Sequence, residues 1–268
     1  MTAPPDDFLA FRAAREAELV EPFGWLTLSG FFWLPEDAGA LPGLPGRWWA
    51  DADQSSAHVA AAAAEGLTRE GVPLDGECVL DVGEYGRVPW VDHGERRVEL
   101  LRRGGRLAVR VRAETSRDRE SFTHVPTFPY DPAWRVPGRF TPYAVVPDVE
   151  VGTIRPDLRQ VMHPIGEVVF ELAGVAQRLV VTKGKYGWGV EFRDPTNGDE
   201  TEAWRQLHFD APVDAAGVEV VLDFNRSQNM WFAFTDFATC PAPIDGNVVS
   251  VPVRAGELRV RPRESAVG

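Results

Sequence analysis

The chain has 268 residues, with 28 Lys plus Arg against 40 Asp plus Glu, for a formal charge of −12. That balance repels polyanions, so neither nucleic acid nor an anionic membrane is an expected partner. Hydrophobic residues at 44% and charged residues at 25% are those of a folded globular protein, not of a disordered chain.

The N-terminus, MTAPPDDFLAFRAAREAELV, lacks the basic start and continuous apolar core of a signal peptide. No stretch approaches the ~18 uninterrupted apolar residues of a membrane span. Cys78 and Cys240 are too few for a disulfide scaffold, so a reducing, cytoplasmic location is the expectation. Lys183 and Lys185 are the only lysines among the cations, and arginine favours planar, bidentate contacts over point charges.

Asp6 to Val20 reads as a helix: Asp6 or Asp7 can cap it, and Phe8, Phe11 and Leu19 share one face. After Pro22 the texture becomes short apolar or alternating runs cut by Gly, Pro, Asn and Asp. Arg96 to Arg103 and Arg106 to Ala113 flank Gly104-Gly105, a strong hairpin signal. Further strands are expected at Glu77 to Val82, Glu167 to Leu172, Arg178 to Thr182, Gly187 to Phe192, Gly217 or Val218 to Phe224, and Val248 to Val253. Gly174 marks a tight reversal, and Thr182 to Lys185 reads as a hairpin tip. Short strands at this spacing predict a mainly β fold: an antiparallel sandwich or barrel-like body with an N-terminal helix. The expected division is a helix over 1–22 packing on one β-rich body over 23–262, with a tail at 263–268. Phe122 to Pro147 and Asn225 to Asn247 resist a strand reading and are expected as long, ordered loops packed by their aromatic rings.

Several polar constellations carry potential chemistry. Asp223, Asn225 and Arg226 cluster where a strand enters the second aromatic loop, an arrangement suited to a carboxylate or amide ligand. The structural alternative has Asp223 and Asn225 bonding the loop's own backbone, with Arg226 as counter-ion. Asp194 and Thr196 lie in Phe192-Arg193-Asp194-Pro195-Thr196-Asn197-Gly198, whose Asp, Pro and Asn-Gly already spell a turn. His124 opens the first aromatic loop, and imidazole suits proton transfer near neutral pH. Arg110 and Arg112 stand in the basic stretch from Arg96 to Arg119; the alternatives are a salt-bridged solvated face or an inward pair gripping an anion. Nine tryptophans, Trp231 among them, can line such a cavity or simply fill the core.

No metal-ligand spacing occurs among the five histidines, so no metal is expected. The glycine pattern of a dinucleotide site, a phosphate loop and a serine-hydrolase elbow are missing, so no organic cofactor is expected either. Cys240 paired with a histidine lacks the helix start that lowers a thiol pKa.

At these residues the chain resembles the bacterial and archaeal family known as domain of unknown function 1684. The resemblance rests on Gly24-Trp25-Leu26-Thr27-Leu28, Arg110-Val111-Arg112, Phe192 to Gly198 and Asp223-Phe224-Asn225-Arg226. It continues through Ala233-Phe234-Thr235, Cys240-Pro241 and Arg254-Ala255-Gly256-Glu257. Two departures stand out. Gln228-Asn229-Met230-Trp231-Phe232 replaces a Tyr-Asn-Pro-Pro-Cys run, and Trp204-Arg205-Gln206 stands where a Gly-Arg pair is usual. The resemblance implies a recurring constellation of Asp194, Thr196, Asp223, Asn225 and Arg226, with an altered pocket wall.

The resulting expectation is a small-molecule enzyme working by acid–base side chains in an aromatic-lined pocket. Asp223, His124 and Asp194 would be catalytic; Arg226, Asn225, Arg110, Arg112, Thr196 and Trp231 would hold the substrate. Hydrolysis, isomerisation or elimination on an anionic or carbonyl-containing metabolite needs only such groups. A non-catalytic binding protein with an arginine clamp is the rival, and a homodimer is compatible with either.

Overall fold

The computed structural model describes residues 3–184, 186–210 and 218–260. Lys185 and Gly217, each part of an expected element, and the expected tail at 263–268 lie outside the described residues. The chain is mainly β, in antiparallel sheets, with the expected N-terminal helix. It forms two compact units, Ala17–Phe122 and Met1–Glu16 with Thr123–Gly268. Their boundary at 122/123 runs through the stretch that the sequence outlines as one body.

Helix α1 covers Asp6–Leu19, matching the expected span to within a residue. The strands of the Ala17–Phe122 unit are β1 (Leu28–Trp33), β2 (Gly39–Leu41), β3 (Leu44–Ala50), β4 (Ala57–Ala61), β5 (Leu67–Arg69), β6 (Val72–Pro73), β7 (Gly76–Leu80), β8 (Arg87–His93), β9 (Arg96–Arg103) and β10 (Arg106–Ala113). They form a six-stranded sheet in the order β1-β10-β9-β8-β5-β6 and a four-stranded sheet in the order β2-β3-β4-β7. Side chains of both sheets, among them Trp48, Val59, Trp90, Leu100 and Val109, share one buried cluster, as alternation in a sandwich requires. Gly104 and Gly105 join β9 to β10 with φ of 58° and 74°, the positive pair that a two-residue hairpin turn demands. A short helix, α2 (Arg117–Ser121), is capped by the Ser116 hydroxyl.

The larger unit carries β11 (Arg135–Pro142), β12 (Val149–Gly152), β13 (Arg159–Met162), β14 (Pro164–Leu172), β15 (Val175–Gly184), β16 (Gly187–Phe192), β17 (Arg205–Phe209), β18 (Val218–Asp223) and β19 (Gln228–Asn229). Its main sheet has the order β18-β11-β14-β15-β16-β17-β19, and β12 pairs with β13 separately. The sheet curls into a half-barrel, so that β17 and β18 touch although four strands separate them in the order. Its inner face buries Val168, Leu179, Val190, Phe192, Leu207, Leu222 and Phe224.

Two expectations need correction here. The first aromatic loop is not wholly irregular, because β11 passes through it and pairs on both sides. Its prolines are tolerated by position: Pro137 faces only β18 and Pro142 only β14, so neither interrupts a two-sided ladder. The second correction concerns Val248 to Val253, which is no strand. Val249 and Val253 are fully buried against the inner face. Side chains bond much of the segment's backbone: Ser250 N donates to Gln177 Oε1 at 3.0 Å and Val253 N to Asp194 Oδ1 at 3.1 Å. Apolar alternation reads the same for a strand and for a plug satisfied in this way.

Candidate functional site

The inner face of the β14–β17 region is apolar, so alternation sends the intervening residues to the other face. On β16 these are Gly189 and Glu191, and on β17 they are Gln206 and His208. Cross-strand register sets Gly189 opposite His208 and Glu191 opposite Gln206. Thr182 of β15 lies beside Gly189, and Gln228 of β19 beside Gln206. Gln206 Nε2 reaches Gln228 Oε1 at 3.4 Å.

Two titratable groups on this face are displaced from their ordinary behaviour. Burial pushes the Glu191 carboxyl upward, toward its protonated form, against the opposing pull of its own backbone N–H and the Thr182 hydroxyl. Glu191 nonetheless keeps a partly accessible surface. Burial pushes His208 downward, toward neutral imidazole, and the positive charge of Arg15 adds to this. Both ring nitrogens are buried without a hydrogen-bond partner among the described residues; the Trp188 backbone, which favours the protonated ring, falls short of bonding geometry. The ring lies directly over Gly189, where a Cβ would stand 2.7 Å from Nδ1. Tyr186 closes one side, its ring 5.5 Å from the imidazole.

Arg15 itself is committed. Its Nε donates to Glu257 at 3.2 Å and its Nη2 to the Asn229 carbonyl at 2.7 Å. Its guanidinium lies 4.5 Å from the Trp231 ring. Arg12 adds a second bond to Glu257 at 2.9 Å, and Asn229 N donates to the other oxygen at 2.7 Å.

The residues singled out from sequence fall into separate groups. Asp194 Oδ1 accepts from Thr196 N at 2.9 Å, Thr196 Oγ1 at 2.6 Å and Val253 N, while Oδ2 takes Arg205 Nη2 at 2.9 Å. Arg205 is fully buried and also donates to the carbonyls of Ala255 and Val253. Burial lowers its pKa and Asp194 opposes that. Asp194 and Thr196 therefore tie the turn to the C-terminal segment.

Asp223 Oδ1 caps the turn at Phe224–Arg226, accepting from Asn225 N and Nδ2 at 3.1 and 2.8 Å. Asn225 holds the Asp131 backbone through its side-chain amide: Oδ1 accepts from Asp131 N and Nδ2 donates to the Asp131 carbonyl. Arg226 lies 2.5 Å from Asp7 and 3.5 Å from Asp223. These contacts are those of the structural alternative. His124 is exposed, with Nδ1 3.2 Å from the Thr123 hydroxyl. Trp231 is half-buried beneath Arg15.

Arg110 and Arg112 belong to the Ala17–Phe122 unit and are 1% exposed. Both guanidinia approach the Trp25 ring, at 5.3 and 5.7 Å. Arg112 meets Glu99 at 2.8 Å and the Gly24 carbonyl at 2.6 Å. Burial lowers its pKa and Glu99 restores part of it.

Reasoning from sequence missed Glu191, Gln206 and His208. The signal was present as Glu in GWGVEF and Gln and His in RQLHF, each at the polar phase of a strand. Nothing in the sequence pairs those two strands. Among the described residues, no three His, Cys, Asp or Glu stand where they could hold a metal, and no helix is long and apolar enough to cross a membrane.

No curated protein matches the chain. A solution NMR structure of an uncharacterised protein from gene locus rrnAC0354 of Haloarcula marismortui is 26% identical. It covers 52% of this chain and 78% of its own, with a TM-score of 0.44. The model of the family described as "Protein of unknown function (DUF1684)" matches residues 120–258. That match spans over half of the chain, including Phe192 to Gly198 and Asp223 to Arg226, and the chain belongs to the DUF1684 family.

Proposed function

We propose that the protein is a small-molecule enzyme whose acid–base pair is Glu191 and His208. The observation that carries this reading is the placement of both groups on one sheet face, each driven toward its neutral form by burial. A neutral carboxyl is a proton donor and a neutral imidazole a proton acceptor. Raising one pKa and lowering the other brings the two closer together, so protons pass to and from a bound molecule at little cost. The two residues are diagonal neighbours on adjacent strands, about 7–8 Å apart along the backbone, close enough for both side chains to reach one small molecule. Gln206, Gln228 and Thr182 supply orienting hydrogen bonds. Hydrolysis, isomerisation or elimination on an anionic or carbonyl-containing metabolite fits such a site, and Asp194, Asp223 and His124 are not required in it.

The test is a thermal-shift and native mass-spectrometry screen of carboxylated and aromatic metabolites, followed by incubation with each hit. Glu191→Gln and His208→Gln are each expected to lower turnover about 10²–10⁴-fold while still binding. Full turnover in both variants removes the pair from the mechanism. A hit held without conversion by the wild type identifies a binding protein instead.

A further inference from the structure

The polar face continues one step beyond β16 and β17. Phe192 pairs with Arg205 in the last ladder position, so the next residues, Arg193 and Trp204, return to the face of Glu191 and Gln206. The backbone of Arg193 is fixed on both sides: its N donates to the Asn247 carbonyl at 2.9 Å, and its carbonyl accepts from Val249 N at 2.8 Å. Its guanidinium carbon stands 5.5 Å from the centre of the Trp204 ring. Trp204 is 6% exposed and is pinned by a bond from Nε1 to Met230 Sδ at 3.0 Å.

The Arg193 head contrasts with its neighbours. Arg205 spends its donors on Asp194 and on backbone carbonyls, and Arg15 on Glu257 and Asn229. Arg193 is half-buried, and no acceptor among the described residues takes any of its side-chain N–H groups. A partly desolvated fork of donors, held in orientation by an aromatic ring, is the arrangement that recognises a carboxylate.

We propose that Arg193, stacked on Trp204, clamps the carboxylate of the molecule on which Glu191 and His208 act, so that the substrate is a small carboxylic acid; this rests on the acid–base reading of the same face. One guanidinium matches one negative charge. A phosphate dianion calls for a second free cation, and Arg15 is buried with its donors held by Glu257 and the Asn229 carbonyl. Arg193 lies two residues from Glu191, about 7 Å along the strand, which places the reacting centre within a few bonds of the carboxylate.

The experiment titrates acetate, succinate, benzoate and inorganic phosphate into wild type, Arg193→Met, Arg193→Lys and Glu191→Gln. Binding is read by calorimetry and by the Arg193 Nε–H resonance. At least one carboxylate is expected to bind wild type and Glu191→Gln alike, to shift the Arg193 resonance, and to bind Arg193→Met at least tenfold more weakly. Arg193→Lys, with its charge but without its fork, is expected in between. Equal affinity in wild type and Arg193→Met, an Arg193 resonance that no carboxylate moves, or binding of phosphate alone overturns the proposal. If Arg193→Met does not fold, the resonance in wild type decides. Carboxylate binding that depends on Arg193, beside full turnover in Glu191→Gln and His208→Gln, upholds the clamp and rejects the acid–base pair.

Discussion

Two arginines at the same end of the β16–β17 pair illustrate how differently one residue type is used. Arg205 points into the apolar half-barrel and is tolerated there because Asp194 and several backbone carbonyls meet its charge. Breaking such a pair from one side leaves a buried charge uncompensated, which costs more than the intact pair contributes. Asp194→Ala is therefore expected to destabilise the protein by about 3–5 kcal/mol. Denaturant unfolding checks it; a loss well below 1 kcal/mol contradicts the structural assignment. Arg193, just past the end of β16, has a ring to lean on and no side-chain acceptor among the described residues, which suits a contact completed by something that binds.

Strand pairing is what turns scattered polar residues into a face. Glu191 and His208 are 17 positions apart in the chain and become neighbours through the β16–β17 register. Gly189 is the element that makes the arrangement fit, because the His208 ring occupies the space where a Cβ would stand. The two nearest obstructing atoms, at 2.7 and 3.1 Å, belong to a movable ring, and the Leu207 carbonyl follows at 3.2 Å, so Gly189→Ala is expected to leave the fold intact, with a stability loss of about 1–3 kcal/mol. It should displace the imidazole and suppress turnover with the ligand found by screening. An unchanged His208 ring spectrum in Gly189→Ala argues against this account.

The same scale explains what could be read from the chain alone and what could not. The β9–β10 hairpin was legible because two glycines and strict alternation are local signals. β11 was hidden by its prolines, whose acceptability depends on which neighbour flanks each position. The Val248 to Val253 segment looked like a strand because its partners, Gln177, Asp194 and Arg205, are distant in sequence.

For the molecule as a whole, the two displaced groups set opposite limits on stability. Glu191 has a folded pKa above its unfolded value of about 4.5. Its contribution is thus fully present below that pH and declines as pH rises through the folded pKa. His208 has a folded pKa below its unfolded value of about 6.5, so its contribution holds above that pH and is lost as pH falls through the folded value. Glu191→Gln is expected to gain stability over wild type as pH rises above 4.5, and His208→Gln to gain as pH falls below 6.5. Unfolding midpoints across pH 4 to 9 check both signs. Parallel curves for wild type and both variants would mean that neither group is held neutral by burial.

The sequence by itself determined the mainly β class, the N-terminal helix, the acidic surface balance and the family resemblance. Each follows from local periodicity, turn chemistry or composition, which need no knowledge of distant contacts. Only the tertiary structure decided which polar residues serve the framework and which share one sheet face. Asp194, Thr196, Asp223, Asn225 and Arg226 make conspicuous local motifs, and in the folded chain they bond turns, caps and counter-ions. Glu191, Gln206, His208 and Arg193 make no motif at all. Their burial, and with it the displacement of the Glu191 and His208 protons, arises from strand register and from a curled sheet that brings separated segments together.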